Sequence, residues 1–320
     1  MTIVCTGSIA YDYLMTFPGK FRDQLIADKL ENVSLSFLVD SMVKQRGGVA
    51  PNIAYTLALL GDRPAVMGTV GEDFGEYREW LEEQKIDTSL VKKIEGKFTA
   101  SFFANTDLVN NQISSFYTGA MAHASEISLR ELPYKPELVV ISPNDPQAMY
   151  QYSLECQELG IPYLFDPSQQ VARNPGDQLC AGVKGAESLF VNEYEYELLQ
   201  KHTCMSEAEI LEHVKFMVVT CGEKGARIYA GGQVYTVPTV PPVQIADPTG
   251  VGDAFRGGFL RGYMLGFDWL TCGRMGALAA TYVLEQHGTQ NHHYTPAEFV
   301  ARYRQHFDDQ GVLNALLANS

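Results

Sequence analysis

The sequence predicts an α/β fold: a parallel sheet between layers of helices, with a small β-sheet lid lying over its site. Three observations lead there. Short apolar runs such as LVVIS, PYLF and SLFV alternate with helical runs, and strands separated by helices pair in parallel. The chain has 320 residues, 46% of them hydrophobic, enough for one large core and a smaller appendage. Two segments, 16–46 and 97–120, break the alternation and are assigned to the lid. Residues 1–15, 47–96 and 121–320 form the large domain.

Taken in order, TIVCTG is an apolar strand ending at Gly7-Ser8, with Asp12 just beyond it. Ligand groups gather at such carboxyl ends, so Asp12 is either a holder of substrate hydroxyls or a turn acid. Residues 16–46 read as an excursion that closes at RGGVAPN, where Gly47-Gly48 open an apolar helix ending near Gly61. Glycines at that start let a ligand approach the backbone, and Asn52 can donate and accept; a tight turn with a polar first-turn residue is the plain alternative. PAVMGTVG and DFGEYREWLEEQKI follow as strand and amphipathic helix. KFTASFFANTD and QISSFYTGA then make two strands around a turn at Leu108–Asn111, with Phe37, Phe102 and Phe116 as aromatic faces or ordinary core. In the second half, the strands LVVISPN, PYLFDPS, SLFVN and FMVVT end in Asp166, Gln169, Gln170, Asn192 and Glu195, and in the loop Thr220, Gly222, Gly225. ARIYAGGQVYTV reads as a hairpin, and GRMGALAATYVLEQHG as a helix ending at Gly288. His287, His292 and His293 lack the spacing of a metal site and are read as surface.

The stretch DPTGVGDAFRGGF carries the chemistry. Gly250-Val251-Gly252 stand where an irregular segment becomes a helix, whose first N–H groups lack partners and carry the positive end of the dipole. That is an anion site. Asp253 beside it would repel a phosphate by about 1–4 kcal/mol at contact distance, so the carboxylate needs a compensating task. Taking a proton from a hydroxyl that attacks the phosphate is one; complementing the dipole is the other. Gly257-Gly258 inside the helix cost about 1 kcal/mol each relative to alanine and point to close backbone packing. Arg256 reaches either a phosphate or an acid.

Composition narrows the function classes. A net charge of −14 argues against duplex nucleic-acid binding, which needs clustered Lys and Arg. No basic leader precedes the first apolar run and no stretch approaches the roughly 18 apolar residues of a membrane span, so no membrane partner and a cytoplasmic location are expected. The six cysteines are scattered and read as buried thiols. No G-x-x-x-x-G-K-[ST] or G-x-G-x-x-G register occurs, so a phosphoryl-transfer enzyme here belongs to another class.

The pair GGVAPN (residues 47–52) and DPTGVGDAFRGGF resembles the two signatures of the ribokinase-like family of sugar and nucleoside kinases, across nearly the whole chain. FPGKF, VSLSFLVD, QISSFYTGAM, NDPQAM and DPSQQ are similar to segments of the bacterial adenosine kinases in that group. The resemblance implies a three-layer α/β/α sandwich with a β-sheet lid, and Mg²⁺-ATP-dependent phosphorylation of the adenosine 5′-hydroxyl. Carried over, Asp253 is the base and Gly250, Val251 and Gly252 form the anion hole. Asp12, Gly48 and Asn52 match ribose contacts, and Ser8, Ser36, Phe102, Phe116, Gln169 and Gln170 match nucleoside-site positions. Asn192 and Glu195 match an N-x-x-E element that organises Mg²⁺ through water, and Thr220, Gly222 and Gly225 the ATP-side loop. Val49-Ala50-Pro51 departs from the basic or small residue of many sugar kinases, which argues against a free sugar. Some family members imply a monovalent cation near Asp247 and Gly288, and exposed lid strands invite a homodimer. A kinase of another nucleoside or sugar, and a non-catalytic nucleotide-binding protein, remain open alternatives.

Overall fold

A computed structural model describes residues 2–24 and 34–318. Among these, nine strands form one sheet. In it β1 (Ile3–Thr6) is flanked on one side by β4 (Ala65–Val70) and β5 (Val91–Lys93). On the other side lie, in order, β8 (Leu138–Ile141), β9 (Tyr163–Phe165), β10 (Ser188–Asn192) and β11 (Phe216–Thr220). All of these pair in parallel, and the hairpin β12 (Ala226–Ala230) and β13 (Gln233–Val237) closes one edge antiparallel. The strand order reverses between β1 and β8, and such a switch point opens a crevice at the strands' carboxyl ends.

Alternation along the strands sorts side chains into two cores. Ile3, Cys5, Val66 and Val218 face a layer built by α1 (Val49–Leu59), α7 (Val251–Met264) and α8 (Trp269–Leu284). Val4, Met67, Val139 and Met217 face α3 (Pro146–Leu159), α4 (Gly176–Val183), α5 (Glu193–Thr203) and α6 (Glu207–His213). The three-layer sandwich follows directly from this period of two. On α7, Phe259 packs edge-on to Phe190 at 5.1 Å and stacks on Phe216 at 5.5 Å; burying such a ring contributes about 1.5–3 kcal/mol. This anchors the helix whose N-terminus carries Gly250, Gly252 and Asp253.

A second sheet runs β3 (Ser41–Gly47), β2 (Ala10–Thr16), β6 (Ala100–Thr106), β7 (Gln112–Tyr117). It moves the expected boundary at residues 15 and 16. Ala10–Thr16 is a strand of the small sheet, since only Gly7, Ser8 and Ile9 separate it from β1 and its seven residues pair with both β3 and β6. Asp12 therefore sits inside a lid strand and not in a turn beyond β1. Phe37 lies apart from Phe102 and Phe116, packed edge-on to Phe17 at 5.2 Å and Phe21 at 4.9 Å. Helix α8 stops at Leu284, short of Gly288.

Candidate active site

The N-terminus of α7 has the geometry its glycines require. Gly250 sits at φ 78° before the first turn, and a Cβ there would lie 2.8 Å from the Thr289 side chain. Among the described residues, the backbone N–H groups of Gly252 and Asp253 have no acceptor, so two oriented donors face outward. Gly257 and Gly258 back onto different neighbours: a Cβ at the first would lie 2.6 Å from Thr56 Cβ on α1, and at the second 2.6 Å from the Met275 carbonyl on α8. The helix is thus wedged between two others.

Asp253 is half-buried in the first turn, and its Oδ2 accepts from Asn52 Nδ2 at 2.8 Å. Burial raises its carboxyl above the ordinary range, opposed by the Arg256 guanidinium and the Asn52 bond. Arg256 pairs with an acid: its Nη2 meets Asp166 Oδ1 at 2.5 Å, both side chains being buried. Burial also lifts the Asp166 carboxyl, against the pull of Arg256.

Across the small sheet, Gln45, Asp12, Phe102 and Phe116 are successive partners on four adjacent strands, and so share one face. That face looks toward the segment before α7: a Cβ at Gly288, whose N–H donates to Asp247, would lie 2.6 Å from Gln45 Oε1, and burial, then the charges of Asp247 and Asp253, push the Asp12 carboxyl up to about 6. A Cβ at Gly47 would lie 2.6 Å from Asp12 Oδ2, so glycine there makes room for the carboxylate. Gly48 (φ 98°) passes within the reach of Ser8 and Ala10 backbone, and Ser8 Oγ accepts from Val49 N at 3.1 Å. Ser8 therefore holds the start of α1 at the crevice. Gln170 is buried and donates to the Asn144 carbonyl at 2.7 Å, bracing the ends of β8 and β9. Its Oε1, Asn144 Nδ2 and Ser142 Oγ are buried without partners and remain available to a ligand. Gln169 is exposed and accepts from Ser168 Oγ, and Ser36 is exposed with no bond to the site.

Beside the N-terminus of α7 lies a cleft of about 550 Å³, lined by Thr220, Gly222, Gly225, Phe255, Val251 and Gly252 among others. Its walls are mostly apolar. Asn192 and Glu195 form a capping box on α5, and Glu195 Oε1 also accepts from Ser168 Oγ at 3.2 Å. Glu195 faces the site, raising both Asp166 and Asp253. Among the described residues no three His, Cys, Asp or Glu could hold a metal by themselves. Asp247 accepts from Thr249 N and Gly288 N.

Sequence reasoning missed several of these groups. Gln290, which donates to Asn52 and to the Tyr77 hydroxyl at separations of 238 and 213 residues, carries no local signature, nor do Tyr77 and Ser142, because only long-range folding brings them together. His292, expected at the surface, is buried at 2% exposure against Tyr55 and Tyr294, and burial lowers its ring to about 4. Tyr294 is its neighbour in sequence, but Tyr55 comes from α1, 237 residues away.

A three-layer sandwich with a smaller second sheet, and glycines and a carboxylate at the start of α7, mark a kinase of the ribokinase-like fold. Residues 4–296 match the pfkB family carbohydrate kinase, and the chain belongs to that family of kinases. It is 30% identical over 309 residues to a nucleoside kinase of Methanocaldococcus jannaschii, covering 95% of this chain and 97% of that one. It is similar to the structure of Burkholderia thailandensis nucleoside kinase in complex with inosine, with 36% identity and a TM-score of 0.86 over 96% of this chain and 99% of that one. The same Burkholderia protein has been solved with ADP-inosine, at a TM-score of 0.83, 37% identity and 96% coverage of both chains.

Proposed function

We propose that this protein is an ATP-dependent nucleoside kinase acting on the 5′-hydroxyl of purine nucleosides. The row Asp12, Phe102, Phe116 carries the reading: a carboxylate suited to ribose hydroxyls stands beside two aromatic faces suited to a planar base. A free sugar would use the carboxylate and leave the rings idle. The resemblance in the sequence points to adenosine. The Burkholderia relative, solved with inosine, supports the broader acceptor class.

In this reading the nucleoside lies under the small sheet and ATP in the cleft beside Gly222 and Gly225, their reacting ends meeting at Gly250–Asp253. Asn52 occupies Asp253 Oδ2, so Oδ1 takes the proton of the attacking hydroxyl. The hydroxyl oxygen bonds to the γ-phosphorus, the bridge to the β-phosphate breaks, and ADP leaves. The free N–H groups of Gly252 and Asp253 hold charge on the migrating group. Asp12, Asp166, Asp253 and Glu195 leave the site acidic around one guanidinium, which suits a nucleotide arriving with Mg²⁺ to neutralise its phosphate oxygens. Glu195 is the residue best placed to order the ion's waters, and a monovalent cation beside Asp247 fits the same segment. Lid closure excludes water that would hydrolyse ATP. No described helix is long and apolar enough to cross a membrane, in keeping with a cytoplasmic enzyme. β7, exposed along its length, is the edge through which two lids would pair.

The test is ADP release from Mg-ATP with adenosine, inosine, guanosine, cytidine, ribose and fructose 6-phosphate, repeated with Asp253→Asn. Turnover with purine nucleosides, reduced by about 10³-fold or more in the variant while nucleoside binding persists, is the expected outcome. A sugar as preferred acceptor, or near-normal turnover in the variant, overturns the assignment.

A further inference from the structure

A line of buried side chains joins the catalytic carboxylate to the hinge of the lid. Asn52 Nδ2 donates to Asp253 Oδ2 at 2.8 Å, and Asn52 Oδ1 accepts from Gln290 Nε2 at 2.7 Å. Gln290 Nε2 also donates to the Tyr77 hydroxyl at 2.6 Å, which donates onward to the Gly47 carbonyl at 2.9 Å. Gly47 ends β3, where the lid runs into α1. Tyr77, Asn52 and Gln290 are 1%, 5% and 3% exposed, so water does not compete for these bonds.

Hydrogen counting allows one direction only. An ionised carboxylate accepts, so Asn52 turns its amide toward Asp253 and its carbonyl toward Gln290. Gln290 must then present its own amide, spending both hydrogens, and Tyr77 is left to donate to the hinge. Among the described residues Gln290 Oε1 is buried without a partner, so no other donor competes for the orientation of this amide. The polarity of the whole line follows from the charge on Asp253.

We infer that Gln290 and Tyr77 are positioning residues for phosphoryl transfer, holding Asn52, and through it the Asp253 carboxylate, in register with the lid hinge. This rests on the kinase reading above. When Asp253 takes the acceptor's proton, the charge-assisted bond from Asn52 weakens, and the restraint on Gly47 weakens with it. The lid is thereby coupled to the protonation state of the base. The other charged groups facing Asp253 are Arg256 on its own helix, Asp12 on β2, Asp166 after β9 and Glu195 on α5. Substitution at 77 or 290 leaves all of them in place.

Gln290→Met keeps the length of the side chain and removes the donor, and Tyr77→Phe removes one oxygen. Expected are a fall in kcat of about 10- to 100-fold for the first and about 3- to 10-fold for the second, with KM for both substrates within about threefold. The acid limb of kcat/KM against pH should move to higher pH in both. Carbon-13 carboxyl NMR of the ligand-free protein reads the Asp253 titration without substrate, and its midpoint should rise likewise. A wild type inactive on every nucleoside counts against the kinase reading alone, because the titration still reports the line. An unmoved Asp253 titration in folded Tyr77→Phe overturns the inference; so does a rise in KM with kcat unchanged. Tyr77→Phe decides the matter if Gln290→Met fails to fold.

Discussion

Asp12→Asn should make the ligand-free protein more stable and, on the kinase reading proposed above, weaken nucleoside binding. Asp12 lies half-buried between Gln45 and Phe102, its carboxyl pushed up to about 6 by burial and by Asp247 and Asp253. An ordinary aspartate titrates near 3.8, so keeping this one ionised in the fold costs about 3 kcal/mol at neutral pH, or about 1.5–3 once solvent screening at the open site is allowed for. The sign follows from proton counting. Between pH 3.8 and about 6 the folded chain holds a proton that the unfolded chain has released, so its contribution is fully present below pH 3.8 and is lost as pH rises through 6. The asparagine variant escapes that loss. Its advantage should be near zero at about pH 4 and reach about 1.5–3 kcal/mol at about pH 7.5, a Tm increase of about 2–5 °C for a chain of this size. Scanning calorimetry across that range measures the gain, and nucleoside titration calorimetry measures the loss of binding. A Tm difference independent of pH, or destabilisation at neutral pH, refutes the reasoning, since the carboxylate would then be held by favourable partners.

Other outcomes follow from the same geometry. Gly250→Ala puts a Cβ 2.8 Å from the Thr289 side chain at φ 78°, and should cost about 1–3 kcal/mol in denaturant titration and raise KM for ATP. Arg256→Met strands the buried Asp166 and should cost about 3–5 kcal/mol, part of which Asp166→Asn restores in the double variant; a double-mutant cycle measures the coupling. His292 holds its ring neutral down to about 4 because of burial and His293, so the unfolded chain binds the extra proton between pH 6.5 and 4. Stability carried by the neutral ring is complete above pH 6.5 and declines by about 3 kcal/mol toward pH 4, and His292→Phe should flatten that decline in thermal scans.

What could be read in advance tracks the range of the interactions involved. Strands such as Leu138–Ile141 and the α7 motif announce themselves within a dozen residues, because alternation, apolar density and glycine act locally. The assignment of Asp12 to the large domain failed because β2 follows β1 after three residues, and nothing within that span signals a change of sheet. Arg256 found its partner 90 residues away in Asp166, and Gln290 found Asn52 at a separation of 238. Such pairings depend on the folded topology, which places the ends of β9, α1 and α7 together. His292 was misread for the same cause, since Tyr55, which packs against its ring and donates to its carbonyl, lies 237 residues away in the sequence.

The back-to-back placement of Gly257 and Gly258 has a consequence for how such an enzyme can change over generations. Neither position tolerates a side chain without moving α1 or α8, so the helix that carries Gly252 and Asp253 is closed to gradual adjustment. Variation is channelled into the small sheet, whose Phe102 and Phe116 border solvent and can be exchanged without disturbing that helix. On the proposed reading, the reaction is thus inherited as a block, whereas the choice of acceptor stays open to selection. Directed evolution toward new acceptors should accordingly begin with libraries on β6 and β7.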